Sequence, residues 1–254
     1  MFAKQNLHGQ IAEYLGTKIV RGEHLVGEVL PTETSLGISL GVSRTAIREA
    51  IKVLSSKGLV EVRRKTGSRV RAQRDWNALD PDVIGWQFSG DGTPIRMIND
   101  LIELRRIIEP ACARLAAKLA TAEELAEIEK AFIEMEQATG KTEASVEADL
   151  KFHLAILEAT HNSFMRPFGA LIQAALRASF RLTNADTAAY RLSLTKHRAV
   201  LVSIRGSDPE AADMAMQAVL RGSQRDIEHV LRSPTLSSAS AQEKKKRSTR
   251  RKRS

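Results

Sequence analysis

The 254-residue sequence predicts a mixed α+β module at its N-terminus followed by an all-α helical bundle. Short helical patterns and one alternating strand pattern share residues 7–73, whereas residues 94–232 show helical periodicity almost throughout. The charge also changes sign along the chain: residues 1–74 hold 13 Lys and Arg against 6 Asp and Glu, and residues 75–232 hold 18 against 23. We therefore expect two units that face different partners.

The first module, residues 1–74, has the pattern of a winged helix-turn-helix. Apolar residues at helical spacing predict a first helix over about 6–21, and a short second helix is expected to end at Gly41. Ser43 is the predicted N-cap of a third helix. Two alternating strands then flank a basic, glycine-containing turn, residues 63–68, which predicts a β-hairpin.

The rest of the chain divides into three parts. Residues 75–93 contain both tryptophans and are predicted to be a linker in which the step Asp80-Pro81 starts a junction helix. Residues 94–232 are predicted to form an effector-binding and dimerisation bundle of six helices. Residues 233–254 hold 8 Lys and Arg against 1 Glu, so a disordered basic tail is expected. The expected helix bounds are 94–119, 122–138, 143–160, 163–183, 187–205 and 209–231.

Composition excludes several classes of protein. No apolar run approaches the roughly 18 residues that span a bilayer, and the start MFAKQNLHGQ lacks the apolar core of a signal peptide, so a cytoplasmic protein with no membrane partner is expected. The single cysteine, Cys112, excludes a disulfide framework and a cysteine-rich zinc site. No glycine-rich nucleotide-binding signature occurs.

The start of the third predicted helix carries the residues that indicate DNA binding. An α-helix fits the major groove, where its N-terminal side chains reach base edges. Arg44 and Arg48 share one face of the helix, and Thr45 can contact a phosphate or a thymine methyl group. The alternative is a charged, solvated helix face without a partner, which the basic turn and the excess of positive charge disfavour. The candidate contacts in that turn are Arg63, Arg64, Lys65 and Gly67.

This module resembles the DNA-binding domain of GntR-family bacterial transcription regulators. The resemblance rests on LPTETSLGISLGVSRTAIREAIKVLSSKGLVEVRRKTGSRV, residues 30–70, which follows the family's helix-turn-helix and wing pattern. Gly37 departs from the usual Ala and should weaken the second helix by about 1 kcal/mol. Thr34 stands where several members carry an Arg that contacts DNA. The resemblance implies a homodimer on a pseudo-palindromic, double-stranded operator, with DNA contacts from Arg44, Thr45, Arg48 and Gly67.

The helical part resembles the FadR subfamily, whose FCD domain binds an effector and dimerises. The runs WNALDPDVIGWQF and ELRRIIEPACARLAA resemble the galactonate operon repressor branch. This resemblance covers about residues 7–232. It implies a bacterial, nucleoid-associated repressor of a sugar-acid catabolic operon, not an enzyme, that a small carboxylate releases from DNA.

An aspartate and two histidines form a candidate metal site. Asp149 and His153 stand at i and i+4, so they project from one helix face and can share a cation, and His197 lies among apolar residues of another helix. By spacing alone, a core histidine that is only hydrogen-bonded is the commoner case. The FCD resemblance favours a metal, because many members hold a divalent ion with one Asp and three His. The fourth position falls at Val219, and Zn²⁺, Ni²⁺ and Mn²⁺ are the candidate ions.

Arg105 lies among apolar residues in the middle of a predicted helix, and the family resemblance favours it as an anchor for the carboxylate of the effector, because the family's effectors are mostly organic acids. The alternative is an ion pair with Glu103 or Glu109. Arg177 and Asn184 are further candidates for polar contacts to the effector.

Two other functions stay open. The first is a GntR-type regulator that binds another organic acid or a fatty acyl thioester without metal. The second is a metal-dependent enzyme, since three ligands with an open position suit hydrolysis, although no H-E-x-x-H motif is present. The predicted helix over 163–183 is apolar on more than one face, which suits either a dimer contact or a buried core helix.

Overall fold

The computed structural model describes residues 7–63, 66–88, 95–138, 143–182 and 187–232. The chain forms two compact units, Met1–Thr93 and Pro94–Ser254. The first is a helical module with a small sheet and the second is helical, which confirms the predicted fold class. Among the described residues, no helix is both long enough and apolar enough to cross a membrane. The predicted basic tail, 233–254, lies outside the described residues.

The first unit is the predicted winged helix-turn-helix. Its two strands are antiparallel, with Val60 opposite Val70 and Arg63 opposite Gly67. Its elements are α1 (Leu7–Val20), α2 (Glu33–Leu40), α3 (Arg44–Ser56), β1 (Val60–Arg63), β2 (Gly67–Val70), a 3-10 turn (Gln73–Asp75) and α4 (Pro81–Phe88).

Local hydrogen bonds fix where α3 begins. Gly41 ends α2 in the left-handed conformation at φ 66°, which glycine adopts without steric cost. Ser43 then caps α3, because its hydroxyl accepts the N–H of Ala46 at 3.2 Å. The apolar face of the helix is buried in the core of the unit, and this face comprises Ile47, Ala50, Ile51 and Leu54.

Gly37 has a packing role that its helix propensity does not reveal. A Cβ atom at this position would lie 3.0 Å from the carbonyl oxygen of Val42, in the turn between α2 and α3. The N–H of Val42 also donates to the carbonyl oxygen of Gly37 at 3.0 Å. Glycine at position 37 therefore costs about 1 kcal/mol in helix propensity, but it lets the turn before α3 pack closely against α2.

Helix α4 belongs to the core of the first unit. Val83 and Trp86 lie in the same apolar cluster as the buried residues of α1 and α3. The Trp86 ring occupies the space beside Gly16 of α1, where a Cβ atom would come within 2.4 Å of the ring. Asp80 accepts two backbone N–H groups at the start of α4 and pairs with Lys57 at 2.8 Å. The helix predicted from the Asp80-Pro81 step is therefore present and is anchored to the end of α3.

The second unit contains all six predicted helices. The start of the fourth helix differs from the prediction. This helix was predicted to begin at residue 163 but begins at residue 168, because residues 163–167 form turns. The side chain of Asn162 accepts the N–H of Phe164 at 3.1 Å, and Pro167 has no N–H to donate. The helices are α5 (Ile95–Leu119), α6 (Ala122–Gln137), α7 (Glu143–Glu158), α8 (Phe168–Leu182), α9 (Thr187–Arg205) and α10 (Pro209–Arg232).

The core of the second unit brings α5, α7, α9 and α10 together. Each of these helices contributes apolar side chains to one buried cluster, among them Cys112, Phe152, Val200 and Met216. Polar side chains of α5, α7 and α9 are also buried, among them Arg105, Glu109, His153 and His197, and they belong to the site described next.

Candidate functional site

The start of α3 presents the three predicted DNA-contacting side chains to solvent. Arg44, Thr45 and Arg48 are all exposed, whereas the opposite face of the helix is buried. Arg48 donates to the carboxylate of Glu33 on α2, with 3.0 Å between Nη2 and Oε2. An exposed ion pair of this kind contributes little to stability, so a DNA phosphate or base can replace Glu33 at small cost.

The β1–β2 hairpin forms the predicted wing. Arg63 at its turn is exposed and pairs with Glu61 at 2.8 Å. Gly67 has φ 85°, a left-handed conformation that favours glycine, and a Cβ atom there would lie 3.2 Å from the side chain of Val29. Arg69 donates to the carbonyl oxygen of Gly27 at 2.5 Å. Two further predicted contacts of the turn, Arg64 and Lys65, lie outside the described residues.

The second unit brings together the three predicted metal ligands. Asp149 and His153 on α7 and His197 on α9 each offer a ligand atom, and these atoms lie within 4.8 Å of one another. Asp149 Oδ1 lies 3.3 Å from His153 Nε2 and 3.1 Å from His197 Nε2. Both histidines are 1% exposed, whereas the Asp149 side chain is 23% exposed, so the cluster reaches solvent through Asp149.

Each histidine is oriented through its other ring nitrogen. His197 Nδ1 is within hydrogen-bond distance of the carbonyl oxygen of Ser193, at 2.8 Å, whereas His153 Nδ1 lies 2.6 Å from Glu109 Oε2 on α5 as an ion pair without good hydrogen-bond geometry. A metal ion would displace the proton that Nε2 otherwise carries beside Asp149, and with a proton on each Nδ1 both Nε2 atoms would then present a lone pair to the ion. Histidine ligands of metal ions are commonly held in this way, by a carboxylate or a backbone carbonyl behind the ring.

Two facing acceptors in the cluster fit a bound cation. Asp149 Oδ1 and His197 Nε2 are buried, and neither makes a hydrogen bond of good geometry within the part of the chain that the structure describes. Buried polar atoms without partners are unfavourable, whereas a divalent ion between an imidazole nitrogen and a carboxylate oxygen would satisfy both. The donor set, two imidazoles and a carboxylate, therefore fits Zn²⁺, Ni²⁺ or Mn²⁺.

The charges around the cluster stabilise one another. Burial alone would raise the pKa of Glu109, but the positive charges of Arg105 and His153 lower it to about 2. Burial likewise opposes ionisation of Asp149, yet the close approach of the His153 and His197 imidazoles holds the pKa of its carboxyl well below the usual range. Burial would lower the pKa of His153, but the carboxylate of Glu109 and the hydrogen bond with Asp149 raise it to about 9. Both carboxylates are consequently ionised at neutral pH.

Arg105 lies beside the cluster as a buried cation. Its Nε donates to Glu109 Oε1 at 2.5 Å, and its Nη2 lies 3.3 Å from His153 Nε2. Arg105 is only 4% exposed. The predicted alternative, an ion pair of Arg105 with Glu109, is therefore present within α5. Arg105 also lines a cavity, so the pair does not remove it as a candidate ligand contact.

A cavity of about 140 Å³ opens from the cluster. Asp149, His153, His197 and Arg105 form one part of its lining, together with Lys196 of α9. Apolar side chains such as Leu176 and Phe180 form another part. Hydroxyl groups are frequent on its wall, where they belong to Ser145, Ser179, Tyr190, Ser193 and Ser223. The cavity thus combines cations, hydroxyl groups and apolar surface, which suits a small polar ligand with a negative charge.

Val219 lines the same cavity and is 7% exposed. Its side chain offers no ligand atom at the position where the family resemblance implies a fourth ligand.

We expect the substitution Val219→His to increase metal affinity by about tenfold or more, because it adds an imidazole to a site that already holds three ligands. Titration of the purified protein with Zn²⁺ or Mn²⁺ in a competitive chelator assay measures this change. Val219→Leu is the matched control, and we expect it to leave the affinity near that of the wild type. Equal metal affinity in the His and Leu variants would contradict a fourth ligand position at residue 219.

Two other predicted effector contacts are not placed with this group. Arg177 on α8 is not among the residues that line the cavity; it pairs with Glu143 and, at 3.3 Å, with Glu147. Asn184 lies outside the described residues.

Sequence reasoning missed several residues of the cavity wall. Glu109 was considered only as an ion-pair partner of Arg105, although it also orients His153. Ser193 stands four residues before His197, a spacing that places both on one helix face, and this signal was available. Tyr190 and Lys196 gave no such signal, because their positions depend on how α9 packs against α6, where the Tyr190 hydroxyl donates to the carbonyl oxygen of Met135, and against α10, where Lys196 contacts Gly222.

Two known families match separate parts of the sequence. Residues 7–70 match bacterial regulatory proteins of the gntR family, and residues 100–222 match the FCD domain family. The first segment contains α1 to β2, and the second contains the candidate metal ligands and the cavity.

Relatives that match over most of the chain are also transcription regulators. The galactonate operon transcriptional repressor of Escherichia coli K12 is 36% identical over 226 residues, which cover 89% of this chain and 98% of that protein. The Uxu operon transcriptional regulator of the same strain is 30% identical, over 84% of this chain and 83% of its own length. In fold, the chain is similar to the solved structure of Lar, which controls expression of the Listeria monocytogenes agr system; the TM-score is 0.62 at 18% identity, over 89% of this chain and 99% of that one.

Proposed function

The chain belongs to the GntR family of bacterial transcription regulators and carries an FCD domain, and from this premise we propose that it represses a sugar-acid catabolic operon. A homodimer binds a pseudo-palindromic operator through its two α3 helices. A small hydroxylated carboxylic acid binds in the cavity of the FCD domain and lowers the affinity for DNA. For this to occur, the acid has to bind the low-affinity state of the protein more tightly than the DNA-binding state.

The observation that carries the proposal is the cluster of Asp149, His153 and His197 at a hydroxyl-lined cavity, with Arg105 beside it. Arginine binds carboxylates with two parallel hydrogen bonds, and buried hydroxyl groups pair with the hydroxyl groups of a sugar chain. The pairing of Arg105 with Glu109 keeps the guanidinium in place before a ligand arrives. The similarity to the galactonate operon transcriptional repressor supports a sugar acid as the ligand.

A divalent ion would be held by Asp149, His153 and His197, with Glu109 and Ser193 behind the two imidazoles. When bound, such an ion supplies a Lewis-acid contact for a carboxylate and an adjacent hydroxyl group. The three side chains keep their ligand atoms together without rearrangement, since both rings are already oriented. The proposal therefore includes a metal-assisted effector site.

The cavity volume favours a small acid over a fatty acyl thioester. The cavity of about 140 Å³ is not fully enclosed, so a six-carbon acid can bind with part of its length in the opening. A long acyl chain would need a channel several times as large. The frequent hydroxyl groups on the wall also disfavour an apolar chain, because they would lose their hydrogen bonds to it.

The DNA-binding part of the proposal predicts a large effect of Arg48→Ala. We expect operator affinity to fall by about 5-fold to 150-fold, the range of one lost base or phosphate contact of about 1–3 kcal/mol. Fluorescence anisotropy at physiological salt measures it, with an operator selected by the protein from a random DNA pool. Thermal unfolding should change little, because Arg48 is exposed and its ion pair with Glu33 is weak.

Arg166→Ala is the matched control for this experiment. Arg166 is likewise an exposed arginine that pairs with one glutamate, Glu158 at 3.0 Å, but it lies in the second unit, outside α3. We expect its operator affinity to equal that of the wild type. Unchanged operator affinity in the Arg48→Ala protein would refute the assignment of α3 as the recognition helix.

A further inference from the structure

Glu33 of α2 holds Arg48 of α3 by one edge of the guanidinium group, the inner edge formed by Nε and Nη2. The Nε atom of Arg48 lies 3.3 Å from each carboxylate oxygen of Glu33, and Nη2 lies 3.0 Å from Oε2. A guanidinium carries five N–H donors in one plane. The outer edge, which carries Nη1 and the second N–H of Nη2, is therefore not used by Glu33.

The backbone that carries Glu33 is fixed relative to α3. Glu33 is the first residue of α2 and follows the N-cap Thr32, whose hydroxyl accepts the N–H of Ser35 at 3.2 Å. A carboxylate in the first turn of a helix is stabilised by the helix dipole. The close approach of Gly37 to Val42 holds α2 near the start of α3. The carboxylate consequently has a defined position beside the recognition helix.

The outer edge of Arg48 matches the acceptors of a guanine base. Two N–H groups at the end of an arginine bind O6 and N7 of guanine in the major groove. A guanine is neutral, whereas a phosphate is an anion that the Glu33 carboxylate repels. A phosphate at the inner edge would also have to displace Glu33, and a guanine at the outer edge would not. Although this exposed pair opens at small cost in stability, its presence favours a base over a phosphate.

From this geometry we propose that Glu33 is a positioning residue that makes Arg48 read a guanine of the operator instead of binding a phosphate. The carboxylate holds the inner edge of the guanidinium, and the outer edge donates two hydrogen bonds to the base. Contacts to bases specify sequence, whereas contacts to phosphates do not. Glu33 therefore contributes to sequence specificity and not to the general attraction for DNA. This inference rests on the proposed role of α3 as the recognition helix.

Base substitution in the selected operator tests this assignment with the full-length protein. Each G·C pair is replaced in turn by A·T, symmetrically in both half-sites, and fluorescence anisotropy gives the loss of affinity. We expect the wild type to lose affinity about tenfold or more at one G·C position, and Arg48→Ala to be insensitive to the base at that position. In Glu33→Gln the loss there should fall to about threefold or less, while the affinity for an unrelated duplex rises.

Glu49→Gln is the matched control, because it also removes one negative charge beside Arg48. Glu49 lies on α3 and pairs with Lys52 at 2.8 Å. We expect this variant to keep the wild-type sensitivity at the guanine position. The salt dependence of operator binding is a second readout. In Glu33→Gln, where Arg48 takes a phosphate, the slope of log K against log salt should steepen by about 0.9 per half-site, whereas Glu49→Gln should stay near the wild-type slope.

The outcomes separate this inference from the proposed function. If Glu33→Gln keeps the wild-type sensitivity at the position that Arg48 reads, or if Glu49→Gln loses it equally, Glu33 does not position Arg48. If Arg48→Ala weakens binding to the operator and to every substituted operator by the same factor, Arg48 contacts a phosphate and the inference fails, although α3 still binds the operator. If the wild type binds the selected operator no more tightly than unrelated DNA, the proposed recognition by α3 fails as well.

Discussion

Replacing Glu109 by alanine is expected to lower the free energy of unfolding of the second unit by about 3–5 kcal/mol. Glu109 is 1% exposed and contacts both Arg105, at 2.5 Å, and His153, at 2.6 Å. Removal of its carboxylate leaves a guanidinium buried without its partner, and it opens a cavity as well. Urea unfolding followed by circular dichroism measures the loss, provided that the transition of the second unit is resolved.

Two variants show whether charge or volume causes this loss. Glu109→Gln keeps the size of the side chain but removes its charge, and we expect it to retain most of the destabilisation. Glu103→Ala changes an exposed glutamate on the same helix and should alter stability by no more than about 0.5 kcal/mol. If Glu109→Gln is as stable as the wild type, the negative charge of Glu109 does not hold the site together.

The double substitution His153→Ala/His197→Ala is expected to abolish metal binding. It removes both imidazoles and leaves Asp149 as the remaining ligand of the cluster, and one carboxylate does not retain a transition-metal ion at micromolar concentration. Elemental analysis of the purified protein reports bound metal directly. Thermal unfolding gives a second readout: Zn²⁺, Ni²⁺ or Mn²⁺ should raise the Tm of the wild type by mass action and leave that of the variant unchanged.

His24→Ala/His161→Ala is the matched control for the metal experiment. These histidines lie outside the cluster and pair with single glutamates, Glu28 and Glu124. We expect the control protein to keep the metal content and the Tm shift of the wild type. Equal metal content in the cluster variant and the wild type would remove Asp149, His153 and His197 from consideration as a metal site.

The helical architecture was predictable because its signals are local. Thr121 and Glu124 form a capping box at the start of α6, a pattern visible in the sequence, and Ser43 caps α3 as predicted. The start of α8 was misplaced because the apolar pattern continues through residues 163–167, where Asn162 and Pro167 determine the backbone instead. Helix propensity also failed to explain the glycine at position 37. The structure explains it, because a larger side chain there would lie too close to Val42 in the following turn.

The candidate site was predictable only in part. The sequence spacing of Asp149 and His153 was enough to predict that they share one helix face. The inclusion of His197 as a third ligand depended on a family resemblance. The orientation of His153 by Glu109 joins α5 to α7, across more than forty positions in the sequence. The contact of Lys196 with the backbone of Gly222 likewise joins α9 to α10. Such contacts arise from tertiary packing, and periodicity within one helix does not encode them.

The central claim is that an acid bound at the Asp149 cluster weakens operator binding. The most direct test is fluorescence anisotropy of the selected operator with wild type and His153→Ala/His197→Ala, with Mn²⁺ and increasing galactarate or galactonate. We predict that the acid raises the operator Kd of the wild type at least about tenfold, and that the variant binds operator equally well with or without acid. An operator Kd that does not respond to either acid in the wild type, or that rises equally in the variant, would contradict the account.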